Sequence, residues 1–238
     1  MNQIPDFNFI EGEVLLFNKA LQWTSFDVVN KVRRLITQKT GANLKVGHAG
    51  TLDPLADGLL IICTGKKTKQ ITQYQETDKE YIATIQFGST TPSFDLETEI
   101  NATYPSEHIT LQLLTDTLQQ FTGKQQQTAI AFSAKKVNGK RAYEKARKGI
   151  EVVLKPSDIE IKEIELLNFN FPACVIRVVC TKGTYIRSLA RDLGTAMQSG
   201  AHLTALTRTK SGQFTLNQAM SVTDFETILN VKYPKVVL

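Results

Sequence analysis

The sequence predicts an α+β domain around one mixed or antiparallel sheet. Two observations carry this. Strand-like and helix-like segments follow one another without a regular strand–helix–strand rhythm, which argues against a doubly wound parallel sheet. The composition, 42% hydrophobic and 21% charged over 238 residues, lets the chain bury a sizeable core without disulfide or metal staples. No repeat, low-complexity tract or linker interrupts it, so residues 1–238 read as a single domain.

Residues 13–17 form a short apolar run and read as a strand. A helix follows. Thr24 and Asp27 make a capping-box start, in which hydroxyl and carboxylate each satisfy a free first-turn amide. Val28, Val29, Val32, Leu35 and Ile36 then share one face, and Gly41 ends the unit. A glycine-containing loop runs from Lys45 to Asp53-Pro54, and residues 59–63 read as a buried strand too short for a helix. Tyr81, Ala83, Ile85 and Phe87 alternate onto one side of a further strand. Residues 90–99 carry Pro92, Asp95, Glu97 and Glu99 and read as an acidic loop. Leu111, Leu114, Leu118 and Phe121 mark a second amphipathic helix, stopped near Gly123. Residues 159–169 and 174–180 are β-rich. Gly183-Thr184 opens a third helix with Ile186, Leu189, Ala190 and Leu193 as its apolar stripe and Gly194 at its end. Residues 203–209 read as a last strand.

A formal net charge of +5 suits a polyanionic partner, although a mildly basic protein of any kind shares it. Cys63, Cys174 and Cys180 form no paired framework, which points to a reducing, cytoplasmic setting. The N-terminus lacks the basic and apolar regions of a signal peptide, and no apolar run is long enough to cross a membrane. His48, His108 and His202 lack metal-ligand spacing, Gly65-Lys66-Lys67 lacks the rest of a P-loop, and there is no GxGxxG. No metal or nucleotide cofactor is expected.

Three constellations hold chemistry. In residues 45–60, two glycines precede an Asp-Pro step, an arrangement costly in chain entropy that places a side chain or admits a ligand. Pro54 restricts Asp53 to extended backbone; the alternative is a turn in which Asp53 bonds its own main chain. Asp57 either pairs with Asp53 or caps a turn before Gly58, and the second is preferred. Around the third helix, Tyr185 and Arg187 fall in the first turn, off the apolar stripe. There Arg187 grips a carboxylate or phosphate, or is a solvated surface residue. Lastly, Lys135, Lys136, Lys140, Arg141, Lys145, Arg147 and Lys148, with Tyr143 among them, suit a phosphate backbone with a stacked base, or form an ordinary exposed helix face.

Taken together these stretches resemble the TruB family, the tRNA pseudouridine-55 synthases. Residues 47–56 (GHAGTLDPLA) resemble the family's catalytic loop, Lys79-Glu80-Tyr81 its tyrosine strand, residues 182–187 (KGTYIR) its third motif, and Gly200-Ala201-His202-Leu203 with Leu206 and Arg208 a fourth. The likeness runs from about Gly12 to Val222. It departs at residues 18–25, where Lys19 and Ser25 remain but the usual proline and glycine do not. Many members carry a C-terminal PUA module, and a chain ending at Leu238 is expected to lack one.

The resemblance implies a pseudouridine synthase fold, with a mixed, mainly antiparallel central sheet and an active-site cleft across it. It implies isomerisation of uridine to pseudouridine at position 55, in the T loop of tRNA, without cofactor or metal. The protein is expected to act as a monomer, away from membranes, with the T stem-loop as partner. Asp53 takes the role of nucleophile, Arg187 pairs with it and holds it charged, and Tyr81 stacks on the extruded uracil. His48 fills the vacated space in the RNA, unless it merely bonds backbone. Tyr185 and Leu206 wall the pocket, and Lys19, Lys45 and the 135–148 stretch contact phosphates.

Overall fold

The computed structural model describes residues 6–133, 135–137, 140–148, 150 and 152–233. In chain order the elements are β1 (Val14–Lys19), α1 (Ser25–Thr40), β2 (Val46–His48), β3 (Ala56–Thr64), α2 (Ile71–Gln75), β4 (Lys79–Phe87), β5 (Ser89–Thr90) and β6 (Ala102–Thr103). Next come α3 (Leu111–Gln120), β7 (Gly123–Gln127), β8 (Lys136–Val137), β9 (Lys140–Arg141), α4 (Ala142–Ala146), β10 (Ser157–Asn170) and β11 (Ala173–Cys180). The chain closes with α5 (Ile186–Ala196), β12 (Ala201–Ser211), β13 (Phe214–Thr215) and α6 (Val222–Lys232). Contacts divide it into two compact units, residues 1–79 with 207–238, and residues 80–206.

In the first unit the strand order is β1-β3-β12, with β2 also paired to β3 and β13 to β12. β3 is buried almost throughout because it is apolar on both faces. It pairs antiparallel with β1 (Leu16 opposite Ile61) and with β2 (Gly47 opposite Cys63). The expected capping box forms: Thr24 Oγ1 accepts from the Asp27 amide (3.0 Å) and Asp27 from the Thr24 amide (2.8 Å). Val28, Val29, Val32, Leu35 and Ile36 are all buried, packed with Phe17, Leu60, Ile62 and with Phe225 and Leu229 of α6. Gly41 ends α1 at φ +69°, where a side chain is disfavoured.

In the second unit the order is β12-β4-β11-β10-β7, and the β10 pairings with β11 and β7 are antiparallel. Ala83, Ile85 and Phe87 bury one face of β4 against Ile176 and Val178 of β11 and the stripe of α5. Two expectations shift. Leu111 is exposed, and Thr117 joins Leu114 and Leu118 on the buried face of α3, its hydroxyl bonding the Leu113 carbonyl. Gly194 lies inside α5, where a Cβ would stand 2.6 Å from the Ala201 amide, so it serves close packing and does not end the helix. Among the described residues no helix is long and apolar enough to cross a membrane, and no group of three metal-ligating side chains occurs.

Candidate active site

The Asp53 loop begins on β2, and a bond from the Ala49 amide to the Ile61 carbonyl (2.9 Å) carries it along β3. Gly50 turns it at φ +104°, a backbone glycine adopts without strain. Both neighbours of Asp53 are then tied down. The buried Ser25 hydroxyl donates to the Leu52 carbonyl (3.0 Å) and accepts from its amide (2.8 Å). The Gln22 amide donates to the Pro54 carbonyl (2.7 Å), and the Ala56 amide to that of Asp53 (3.1 Å). The main chain on both sides of Asp53 is therefore fixed by the scaffold.

Lys19 and Arg208 are cations buried in the same unit. Arg208, 1% exposed, donates from Nε to the Leu59 carbonyl (2.7 Å) and from Nη2 to that of Gly50 (3.2 Å). Its main chain passes so close to Gly58, at φ +98°, that a Cβ there would stand 2.4 Å from the Arg208 oxygen. Lys19 is fully buried and donates to the carbonyls of Trp23 (2.7 Å) and Ala20 (3.0 Å). Burial lowers its ammonium to about 8, opposed by the negative charges of Asp57 and then Asp53. Lys19 is therefore no surface contact for a phosphate backbone, which corrects that expectation. Asp57 caps no turn either: it lies within β3, and its Oδ1 is buried without a hydrogen-bond partner. His48 is half-buried on β2, and Lys45 is exposed beside an open cavity of about 610 Å³ lined also by Arg33, Asn43 and Thr68.

In the second unit α5 starts at Tyr185. The side-chain amide of buried Gln127 accepts from the Tyr185 amide (2.8 Å) and donates to its carbonyl (3.1 Å), doing the work of a missing side-chain cap. Arg187 in the first turn is 4% exposed, so the solvated reading does not hold. It pairs with Asp95 Oδ2 (3.3 Å) and donates to the carbonyls of Ser93 (3.2 Å) and Phe132 (2.8 Å). The acidic loop thus supplies a buried counter-charge. Thr91 and Ser93 hydroxyls bond the Asp95 carbonyl, and the Glu97 amide donates to Asp95 Oδ1 (2.9 Å). Tyr81 and Leu206 are half-buried against this unit's core, and Tyr185 packs with Ala129, Ala142 and Leu154.

Sequence reasoning did not foresee Gln127, or that Asp95 and Arg187 would meet. A buried arginine needs an acid, and the acids of residues 90–99 were the only hint. In the 135–148 stretch, β8, β9 and the short α4 replace one long helix face. Lys135 bonds the Lys155 carbonyl and Ser157, Arg147 pairs with Glu97, and the side chains of Lys136, Lys140 and Arg141 lie outside the described residues.

The model for the TruB family pseudouridylate synthase N-terminal domain matches residues 33–186, and that for the tRNA pseudouridylate synthase B C-terminal domain matches residues 187–234. The chain belongs to the TruB family of pseudouridylate synthases. It is 61% identical over 219 residues to tRNA pseudouridine synthase B of Phocaeicola vulgatus, covering 92% of this chain and 93% of that one. It is 55% identical over 230 residues to the protein of the same name from Parabacteroides distasonis, covering 96% and 98%. Among solved structures, a chain of a Cbf5-Nop10-Gar1 complex aligns with a TM-score of 0.72 at 23% identity, over 97% of this chain and 58% of that chain. One from an archaeal box H/ACA sRNP Nop10-Cbf5 complex aligns at 0.68 and 22%, over 96% of this chain and 57% of that chain. This chain spans just over half of each, and the likeness shows the α+β pseudouridine synthase fold.

Proposed function

We propose that this protein isomerises uridine to pseudouridine at position 55, in the T loop of tRNA, in the cytoplasm and without a cofactor, with Asp53 as nucleophile. The observation that carries the reading is the anchoring of Asp53 between two hydrogen-bonded neighbours, in a unit where Lys19 and Arg208 are buried cations. The names of the close relatives supply the tRNA substrate. Position within the T loop rests on the resemblance of the motifs.

The bond from ribose C1′ to uracil N1 breaks, the base turns, and C5 bonds to C1′. The C5 proton leaves to solvent and N1 ends protonated, so nothing enters or departs overall. An ionised Asp53 suits either direct attack on C1′ or an elimination through a glycal. The target base must first leave its stack, at a cost of a few kcal/mol. Tyr81 offers a ring to the extruded uracil and His48 fills the gap left in the RNA. Arg187 is the guanidinium of the reaction centre and keeps Asp53 ionised. Tyr185 and Leu206 wall the base, and Lys45 meets a phosphate.

Release of tritium from C5-labelled tRNA tests this. Wild-type protein should release tritium without free uracil, while Asp53→Asn should bind the RNA and release none. Free uracil would make the protein a glycosylase. An unaltered Asp53→Asn enzyme would remove Asp53 from the chemistry.

A further inference from the structure

Among the described residues, Gln22, Phe94 and Gln198 are the non-glycine residues at positive φ. Gln198 lies just past α5, where a left-handed residue is ordinary. Phe94, at φ +53°, differs: a bulky side chain disfavours this conformation, and such strain persists only where the surroundings hold it. The Phe94 amide donates to the Thr91 carbonyl (3.1 Å), and its carbonyl accepts from the Leu203 amide of β12 (3.0 Å). The Arg191 guanidinium lies 5.9 Å from its ring centroid. The residues on either side of Phe94 are the ones that meet Arg187. The Ser93 carbonyl accepts from Nη1 (3.2 Å), and Asp95 Oδ2 lies 3.3 Å from the same nitrogen.

We infer that Phe94 is a positioning residue for Arg187: its left-handed backbone turns the Ser93 carbonyl and the Asp95 carboxylate onto one guanidinium nitrogen, which aims that guanidinium for the reaction. The inference rests on the role proposed for Arg187 above. In extended backbone, carbonyls lie along the hydrogen-bonding direction and side chains stand off it, so the two acceptors would diverge. The φ of residue 94 sets how the Ser93–Phe94 peptide faces relative to Asp95, and at this positive value both acceptors reach Nη1. α5 supplies the other half. Arg187 and Arg191 lie one turn apart, so one helix face meets loop 90–99 twice, first at the two acceptors and then at the Phe94 ring.

The test is kcat and KM for tritium release from C5-labelled tRNA, with RNA affinity measured alongside. Phe94→Tyr keeps both ring and turn. Phe94→Gly loses the ring but adopts the turn freely. Phe94→Ile keeps apolar bulk and resists the turn. Phe94→Tyr and Phe94→Gly should stay within about threefold of the wild-type kcat. Phe94→Ile should lose about tenfold or more in kcat, with KM and affinity little changed. Phe94→Ala gives the same contrast with Phe94→Gly should Phe94→Ile not fold. Equal losses in Phe94→Gly and Phe94→Ile overturn the inference, since the ring and not the backbone would then matter. So does full activity in Phe94→Ile, or a loss confined to KM, which would make Phe94 an RNA contact. Wild-type protein that releases no tritium would instead bring down the proposed reaction, and the positioning role with it.

Discussion

Around Asp53 the buried cations rest on main-chain carbonyls, Lys19 on Ala20 and Trp23, Arg208 on Gly50 and Leu59. Around Arg187 the buried guanidinium has a carboxylate, Asp95, as well as two carbonyls. The difference is one of charge, not of hydrogen-bond count. A carbonyl satisfies a donor without cancelling its charge, whereas a carboxylate does both. In the first region the charge of Lys19 is met through space by those of Asp57 and Asp53. The second fixes the shape and direction of one arginine.

The sharpest way to break the first region is Gly58→Ala. Left-handed strain and a clash with the Arg208 main chain should together cost about 3 kcal/mol or more, read as a lowered urea midpoint. A midpoint like wild type would mean that Arg208 can move aside. Next in size, Asp95→Asn removes a buried carboxylate from the Arg187 guanidinium and should cost about 3 kcal/mol, with turnover falling as well. Unchanged stability there would erase the contrast between the two regions.

Lys19 gives a pH signature. Its folded value of about 8 lies below the 10.5 of the unfolded chain. Between these limits the unfolded chain holds a proton that the folded protein has released, so stability rises with pH. The difference between wild type and Lys19→Met should climb across that window by no more than about 3 kcal/mol. Turnover should move the other way, falling above pH about 8 as Asp53 loses a neighbouring positive charge. A flat difference curve would mean that Lys19 stays charged. The smallest effect is expected at the exposed start of α1: Thr24→Ala should cost about 1 kcal/mol, measured by thermal unfolding.

Much of the fold was legible because periodicity reports burial directly. The α1 face, the β4 alternation and the apolar β3 all reappear as core. Misreadings came where a residue type has two uses. Gly194 looked like a helix end and is a packing contact; Asp57 looked like a cap and is a strand residue; Lys19 looked like a surface cation and is buried. In the site, the motif glycines and Asp53 stood out because positive φ and Asp-Pro geometry leave a trace in local sequence. Asp95 and Gln127 left none, since what they do depends on partners far along the chain.

The sequence by itself determined several of the main strands and helices, where α1 starts and stops, and which aspartate sits in a glycine-bounded loop. Those are short-range matters of steric freedom, capping and hydrophobic period. Tertiary structure alone decided the charge states and partners: that Lys19 loses its water, that Arg208 is held by carbonyls, and that an acidic loop answers a buried arginine. The reason is that desolvation and Coulomb energy depend on distance through space, and the separation of 92 positions between Asp95 and Arg187 becomes 3.3 Å only on folding.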